Sequence, residues 1–301
     1  MAGKLLIPGL VDVHTHLCGG GGEAGASSRV PTRSLSTYTS CGVTTAIGLL
    51  GTDADTRSVA ELLAAARGLR DLGLSTFCYT GSYALPSPTV TGSVRKDIVH
   101  VDSIVGCKVA LSDHRSSQPT FDEVTRLASD VYVGGMLTGK AGILHIHMGN
   151  GKRGLSLLRR VLDETELPPR VFHPTHVNRR KELWEEAKEY VKAHRGFIDI
   201  TAGMAEPGGV DAVDALVDYH QAGLPVEHVT LSSDSGGSLP VFDSSNTLVS
   251  MDVGASTHLL TTVAQATRRG VPLPAALAAV TRTPAIHYRL PGRGRIVEGG
   301  R

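Results

Sequence analysis

At 301 residues, the chain is long enough for one large α/β barrel or two ordinary domains. Hydrophobic residues at 41% and charged residues at 20% are those of an ordinary globular protein. A formal net charge of +1 gives no electrostatic case for nucleic acid or a membrane surface, and 4% aromatics leave little for base stacking.

The chain opens on a short apolar patch broken by Pro8, which is neither a signal peptide nor a spanning helix. Strand-like apolar runs then recur at 9–17, 44–50, 75–80, 104–111, 142–148, 171–177, 197–201 and 229–233. Amphipathic stretches at 58–72, 121–129, 154–165, 181–194 and 210–222 carry apolar residues at three- and four-residue spacing, which predicts helices. Segment 236–252 is rich in Ser, Gly and Asn and reads as a long loop; 253–269 and 274–283 resume helical patterning. Segment 292–300 reads as the opening of a further β-element. Eight strands alternating with helices fit a (β/α)8 barrel better than an open doubly wound sheet, and the Gly-rich segment after the first strand lacks the dinucleotide spacing. Cys18, Cys41, Cys78 and Cys107 lie far apart with no CxxC pair, which suits reduced thiols in a cytoplasmic setting.

In such a barrel, function collects at the C-terminal ends of the strands, where polar residues are costly unless paired or ligated. The first strand offers His14 and His16, two residues apart on one side, followed by a tetraglycine and Glu23. Lys108 lies in the fourth strand, His145 and His147 in the fifth, His173 and His176 in the sixth, and Asp234 follows the eighth. Metals explain this set better than isolated core pairs do. Lys108 has two readings. Desolvation could free its amine to form a CO2-derived carbamate bridging two cations, or its head could reach solvent or a carboxylate. Two metals about 3.5–4 Å apart lower the pKa of a shared water, and Asp234 could then serve as proton acceptor, as ligand, or as both. Gly149-Asn150-Gly151-Lys152 lacks phosphate-loop spacing and is set aside.

The run PGLVDVHTH from Pro8, the strand-four lysine, the strand-five and strand-six histidines and the final aspartate resemble the amidohydrolase superfamily. Further segments resemble the isoaspartyl (β-aspartyl) dipeptidases specifically. They are HTHLCGGGGEAG from His14, GLLGTD from Gly48, TGSYALPSPTVTGSV from Thr80, GCKVALSDHRS from Gly106, HMGNGKR from His147, PTHVNR from Pro174 and LSSDSGGSLP from Leu231. The resemblance implies a binuclear zinc centre. His14, His16 and Asp234 would hold one metal, His147 and His176 the other, and carboxylated Lys108 would bridge them. Cobalt or manganese also suits such donors. It implies that Glu23 binds the substrate ammonium, that Arg115, Arg179 and Ser238 bind its carboxylates, and that Gly21 and Thr52 line the pocket. Tyr83 would polarise the scissile carbonyl. His145 and His173 match no ligand and read as packing residues or as residues that orient the ligands from behind. The substrate would be a small dipeptide cleaved at its β-aspartyl bond.

Members of that family also carry a small β-sandwich domain built from both chain ends. The expectation is a catalytic barrel over 8–290, with 1–7 and 291–301 as remnants of connections to that domain. A homo-oligomer does not follow without it. Other readings are an amidohydrolase acting on a cyclic amide or N-acyl amino acid, and a non-catalytic barrel.

Overall fold

The computed structural model describes residues 3–204, 208–243, 245 and 247–298. Alternating elements run β1 (Leu10–Thr15), α1 (Leu35–Thr39), β2 (Val43–Gly48), α2 (Val59–Asp71), β3 (Ser75–Gly81), α3 (Val94–His100), β4 (Ile104–Leu111) and α4 (Phe121–Thr138). They continue through β5 (Ile143–Met148), α5 (Ser156–Glu164), β6 (Phe172–Thr175), α6 (Lys181–His194), β7 (Ile198–Thr201), α7 (Ala212–Gln221) and β8 (Val229–Ser232). After these come β9 (Ser238–Phe242), β10 (Leu248–Val253), α8 (Thr257–Arg268), α9 (Leu273–Ala278) and α10 (Arg282–His287).

Strands β1 to β8 pair in parallel and in chain order. The barrel comes round at a bridge between Thr15 and Ser235, where His16 N donates to Ser235 O at 2.8 Å. Strands β4 and β5 are buried at every position, as helices cover one face and the barrel interior the other. This explains why they read as continuous apolar runs.

Local chemistry sets the helix ends. Ser58 accepts a hydrogen bond from Glu61 N to start α2, and Thr120 and Glu123 form a reciprocal capping box on α4. Gly139, at φ 71, lets α4 stop in the left-handed conformation. Leu183, Trp184, Ala187, Tyr190 and Val191 form the buried stripe of α6, whose Trp184 Nε1 donates to Asp218 on α7 at 2.7 Å.

Segment 236–252, read as a loop, forms the antiparallel hairpin β9–β10 together with Val253, which was expected to be helical; α8 starts at Thr257. The segment's Ser and Gly content masked short strands that bury little and so lack a strong apolar pattern. The expected β-element at 292–300 is a turn region in its described part, with Gly292 and Gly294 at φ 74 and 71; residues 299 and 300 lie outside the described residues. Residues around α10 plug the barrel instead: Ala285, Tyr288 and Leu290 pack with Val11, Val13 and Ile143 in a second core cluster.

Candidate active site

Register brings the polar strand residues to one end. Lys108 pairs with His145, which pairs with His173; two residues on, Ala110, His147 and Thr175 align. His14 is wholly buried on β1, and His16 follows just beyond that strand. His176 and Asp234 follow β6 and β8 with left-handed backbones, φ 61 and 51. Non-glycine residues pay for that conformation, and it turns both side chains back over the barrel mouth.

The donors converge. His14 Nε2 lies 3.3 Å and His16 Nε2 3.2 Å from Asp234 Oδ1, an oxygen that accepts no hydrogen bond. The ligand atoms of these three residues all fall within 4.8 Å of one another. Ring centroids of His176 lie 4.7 Å from His14 and 4.6 Å from His147. Lys108 is fully buried, so its head does not reach solvent, and Nζ sits 3.4 Å from His14 Nε2.

Each inner imidazole is held by one nitrogen. His14 Nδ1 meets His145 Nε2 at 2.8 Å, and His176 Nδ1 meets Thr201 Oγ1 at 2.7 Å. His147 Nε2 meets Asp113 Oδ2 at 2.9 Å. The opposite nitrogens meet other groups of the site: His14 Nε2 lies near Asp234 and Lys108, and His147 Nδ1 meets the Tyr83 hydroxyl at 2.7 Å. Burial pushes His14 down to about 3, and His147 and His176 well below the usual histidine range, so all three are neutral near pH 7. Burial also lowers Lys108 to about 7. Neutral imidazoles around a buried carboxylate suit a divalent cation, and a Lys108 pKa of about 7 leaves about half of its amine uncharged at pH 7.

The substrate-binding candidates Gly21, Glu23, Tyr83, Arg115, Arg179 and Ser238 line one cavity together with His14, His16, His147, His176 and Asp234. Thr52 lines it too. Glu23 Oε1 accepts from Ser238 at 2.8 Å and Thr52 at 3.1 Å, and pairs with Arg115 Nη1 at 3.4 Å. Arg115 makes a bidentate pair with Asp113, through Nε at 3.0 Å and Nη2 at 2.8 Å. Burial alone would raise the Asp113 carboxyl, but bonds from His147 and Arg115 hold it well below the usual carboxylate range. Burial also pushes the Tyr83 hydroxyl well above its ordinary value, which keeps it a donor.

The sequence allows a pair between Arg115 and Asp113, two residues apart, and the structure has it; the second bond of Asp113, to His147, was not foreseen. Nothing in the sequence pointed to Arg57. The glycines set aside as a phosphate loop have a packing role: a Cβ on Gly149 would lie 2.3 Å from that of Asp113, and one on Gly151 would lie 2.5 Å from Ser112 O. His145 and His173 are core residues, joined through the Tyr288 hydroxyl at 3.3 and 2.6 Å.

No family model matches the chain. Among solved structures, it superposes on a β-aspartyl dipeptidase from the thermophilic, keratin-degrading Fervidobacterium islandicum AW-1, in complex with β-Asp-Leu dipeptide. The TM-score is 0.93 and the identity 43%, covering 98% of this chain and 78% of that one. A second structure of the enzyme from that organism gives 0.88 and 41%, covering 98% and 76%. An amidohydrolase from Mycoplasma synoviae, 12% identical with a TM-score of 0.64 over 96% of this chain and 89% of that one, shares the barrel fold. With relatives this similar over nearly its whole length, the chain belongs to the β-aspartyl dipeptidase family of amidohydrolase barrels.

Proposed function

We propose that the protein hydrolyses the β-aspartyl bond of small dipeptides. The observation that carries this reading is a single cavity with metal donors at its floor and an acid, two arginines and a tyrosine on its walls. A β-aspartyl dipeptide presents one ammonium and two carboxylates, which one acid and two guanidiniums complement. A cyclic amide offers nothing for that combination.

His14, His16 and Asp234 would hold one divalent metal, and His147 and His176 a second, with a carbamate on Lys108 between them; zinc, cobalt or manganese suits these donors. Bound there, the metal pair would acidify a water and polarise the scissile carbonyl. Asp234 takes the proton from the attacking water and passes it to the leaving nitrogen. Tyr83, kept protonated by burial, donates to the carbonyl oxygen as negative charge develops. Glu23 receives the ammonium, while Arg115 and Arg179 receive the carboxylates. Arg115 stays anchored to Asp113 throughout, so it binds without swinging away from the site. Four free, buried cysteines support a reducing cytoplasmic setting.

The test is turnover of β-Asp-Leu and α-Asp-Leu by protein loaded with zinc in bicarbonate, with metal counted in the same sample. The expected result is release of leucine from the β-linked dipeptide alone. Equal rates on both would remove the specificity, and full metal with no turnover of either would favour a non-catalytic barrel.

A further inference from the structure

Arg57 is 6% exposed and lies just before α2, away from the candidate ligands in sequence. Its guanidinium is spent on one task. Nη1 donates to Cys18 O, and Nη2 to Gly20 O at 3.2 Å and Val30 O at 2.8 Å. Nε donates to Asp53 Oδ2 at 2.7 Å. The three carbonyls lie before, within and across from the tetraglycine turn, in which Gly19, Gly21 and Gly22 adopt φ of 81, 83 and 103. A Cβ on Gly19 would lie 2.0 Å from Val30 O, and one on Gly21 would lie 2.5 Å from Ser28 O, so only glycine fits. Such a run has little conformational preference of its own and needs an external anchor.

Glu23 follows this turn. Its other wall is the segment carrying Thr52, which donates to Glu23 Oε1 at 3.1 Å, and Asp53, which holds Arg57. One guanidinium therefore ties both walls of the Glu23 pocket together. Its planar fork spreads five N–H donors over three nitrogens, where a lysine ammonium offers three donors on one. None of these bonds goes to a candidate metal ligand or to Tyr83.

We propose that Arg57 is a positioning residue that fixes Glu23 for recognition of the substrate's α-ammonium group. This rests on the dipeptidase reading above. The experiment compares two ligands differing only in that group: β-Asp-Leu as substrate and N-succinyl-leucine, which lacks the amine, as competitive inhibitor.

In Arg57→Lys, the KM for β-Asp-Leu should rise about tenfold with kcat within about threefold of the parent. The inhibition constant of N-succinyl-leucine and the metal content should not change. Asp53→Asn, which keeps Arg57 and loosens its anchor, should show the same asymmetry more weakly and serves if Arg57→Lys does not fold. Equal weakening of both ligands, or an unchanged KM, overturns the proposal while leaving the dipeptidase reading intact. Absence of β-Asp-Leu turnover by the parent protein overturns that reading and this one together.

Discussion

Lys108 has no exposed surface, and burial brings it to about 7, so a large share of its amine is uncharged in neutral solution. Its Nζ lies 3.4 Å from His14 Nε2, the ring nitrogen opposite the one that meets His145. An ammonium there would repel a metal, whereas a carbamate would supply two oxygens. Lys108→Ala should therefore lose most of its bound metal and more than about a hundredfold in kcat/KM. Formate, acetate or propionate at millimolar concentration should restore part of both. Retained metal without rescue would reject the bridge. At this scale the donors themselves were legible, because charged and imidazole side chains stand out in apolar strands. The bond between Asp113 and His147 and the contacts of Arg57 were not. They act across loops, on a partner's second nitrogen or on main-chain oxygens, and such contacts leave no spacing in the sequence.

The eight barrel strands and the six longer helices, α2 and α4 to α8, were legible as elements, since each carries a buried face. Helices α1 and α3 are only 5 and 7 residues and offer too few turns for a period to show. The β9–β10 hairpin was hidden for a different reason, its weak burial, yet it shapes the site. Ser238 and Pro240 on β9 line the cavity, and the hairpin root is stitched to the Asp234 turn. Gly236 N donates to Gly254 O at 3.0 Å, and Gly254 N to Gly237 O at 2.9 Å. A Cβ on Gly254 would lie 1.9 Å from Asp234 O, a backbone atom with no freedom to retreat. Gly254→Ala should thus push Asp234 off its place between His14 and His16. The expected outcome is a fall in kcat of at least about tenfold with an unaltered far-UV circular dichroism spectrum. An unchanged kcat would show that the turn tolerates displacement.

Across the whole molecule, the barrel interior is a column of buried polar groups rather than a purely apolar core. It runs from His14 through His145 and Tyr288 to His173, then through Thr230 to Asp199. Asp199 takes hydroxyl bonds from Thr175 at 2.7 Å and Ser232 at 2.5 Å, which offset part of its desolvation. Such a column makes stability depend on pH. His173 is pushed by burial from 6.5 down to about 3, and His287 well below its ordinary range by burial and then by His173, His228 and Arg170. The unfolded chain binds protons at these sites below about pH 6.5 that the folded chain does not. Their contribution is therefore complete above that pH and lost as the solution is acidified. Burial raises Asp12 to about 7 and Asp199 to about 6, so these have the opposite sign and partly offset the histidines. His287 isolates one term. Its ring stacks on Phe197 with centroids 3.7 Å apart, and its Nε2 has no hydrogen-bond partner. Phenylalanine there keeps the stack and removes the proton site. With chelator present, urea unfolding should show His287→Phe losing less stability than the parent from pH 7.5 to 5.5. The slopes should differ by up to about 1.4 kcal/mol per pH unit below pH 6.5. Identical slopes would mean that His287 does not titrate on unfolding.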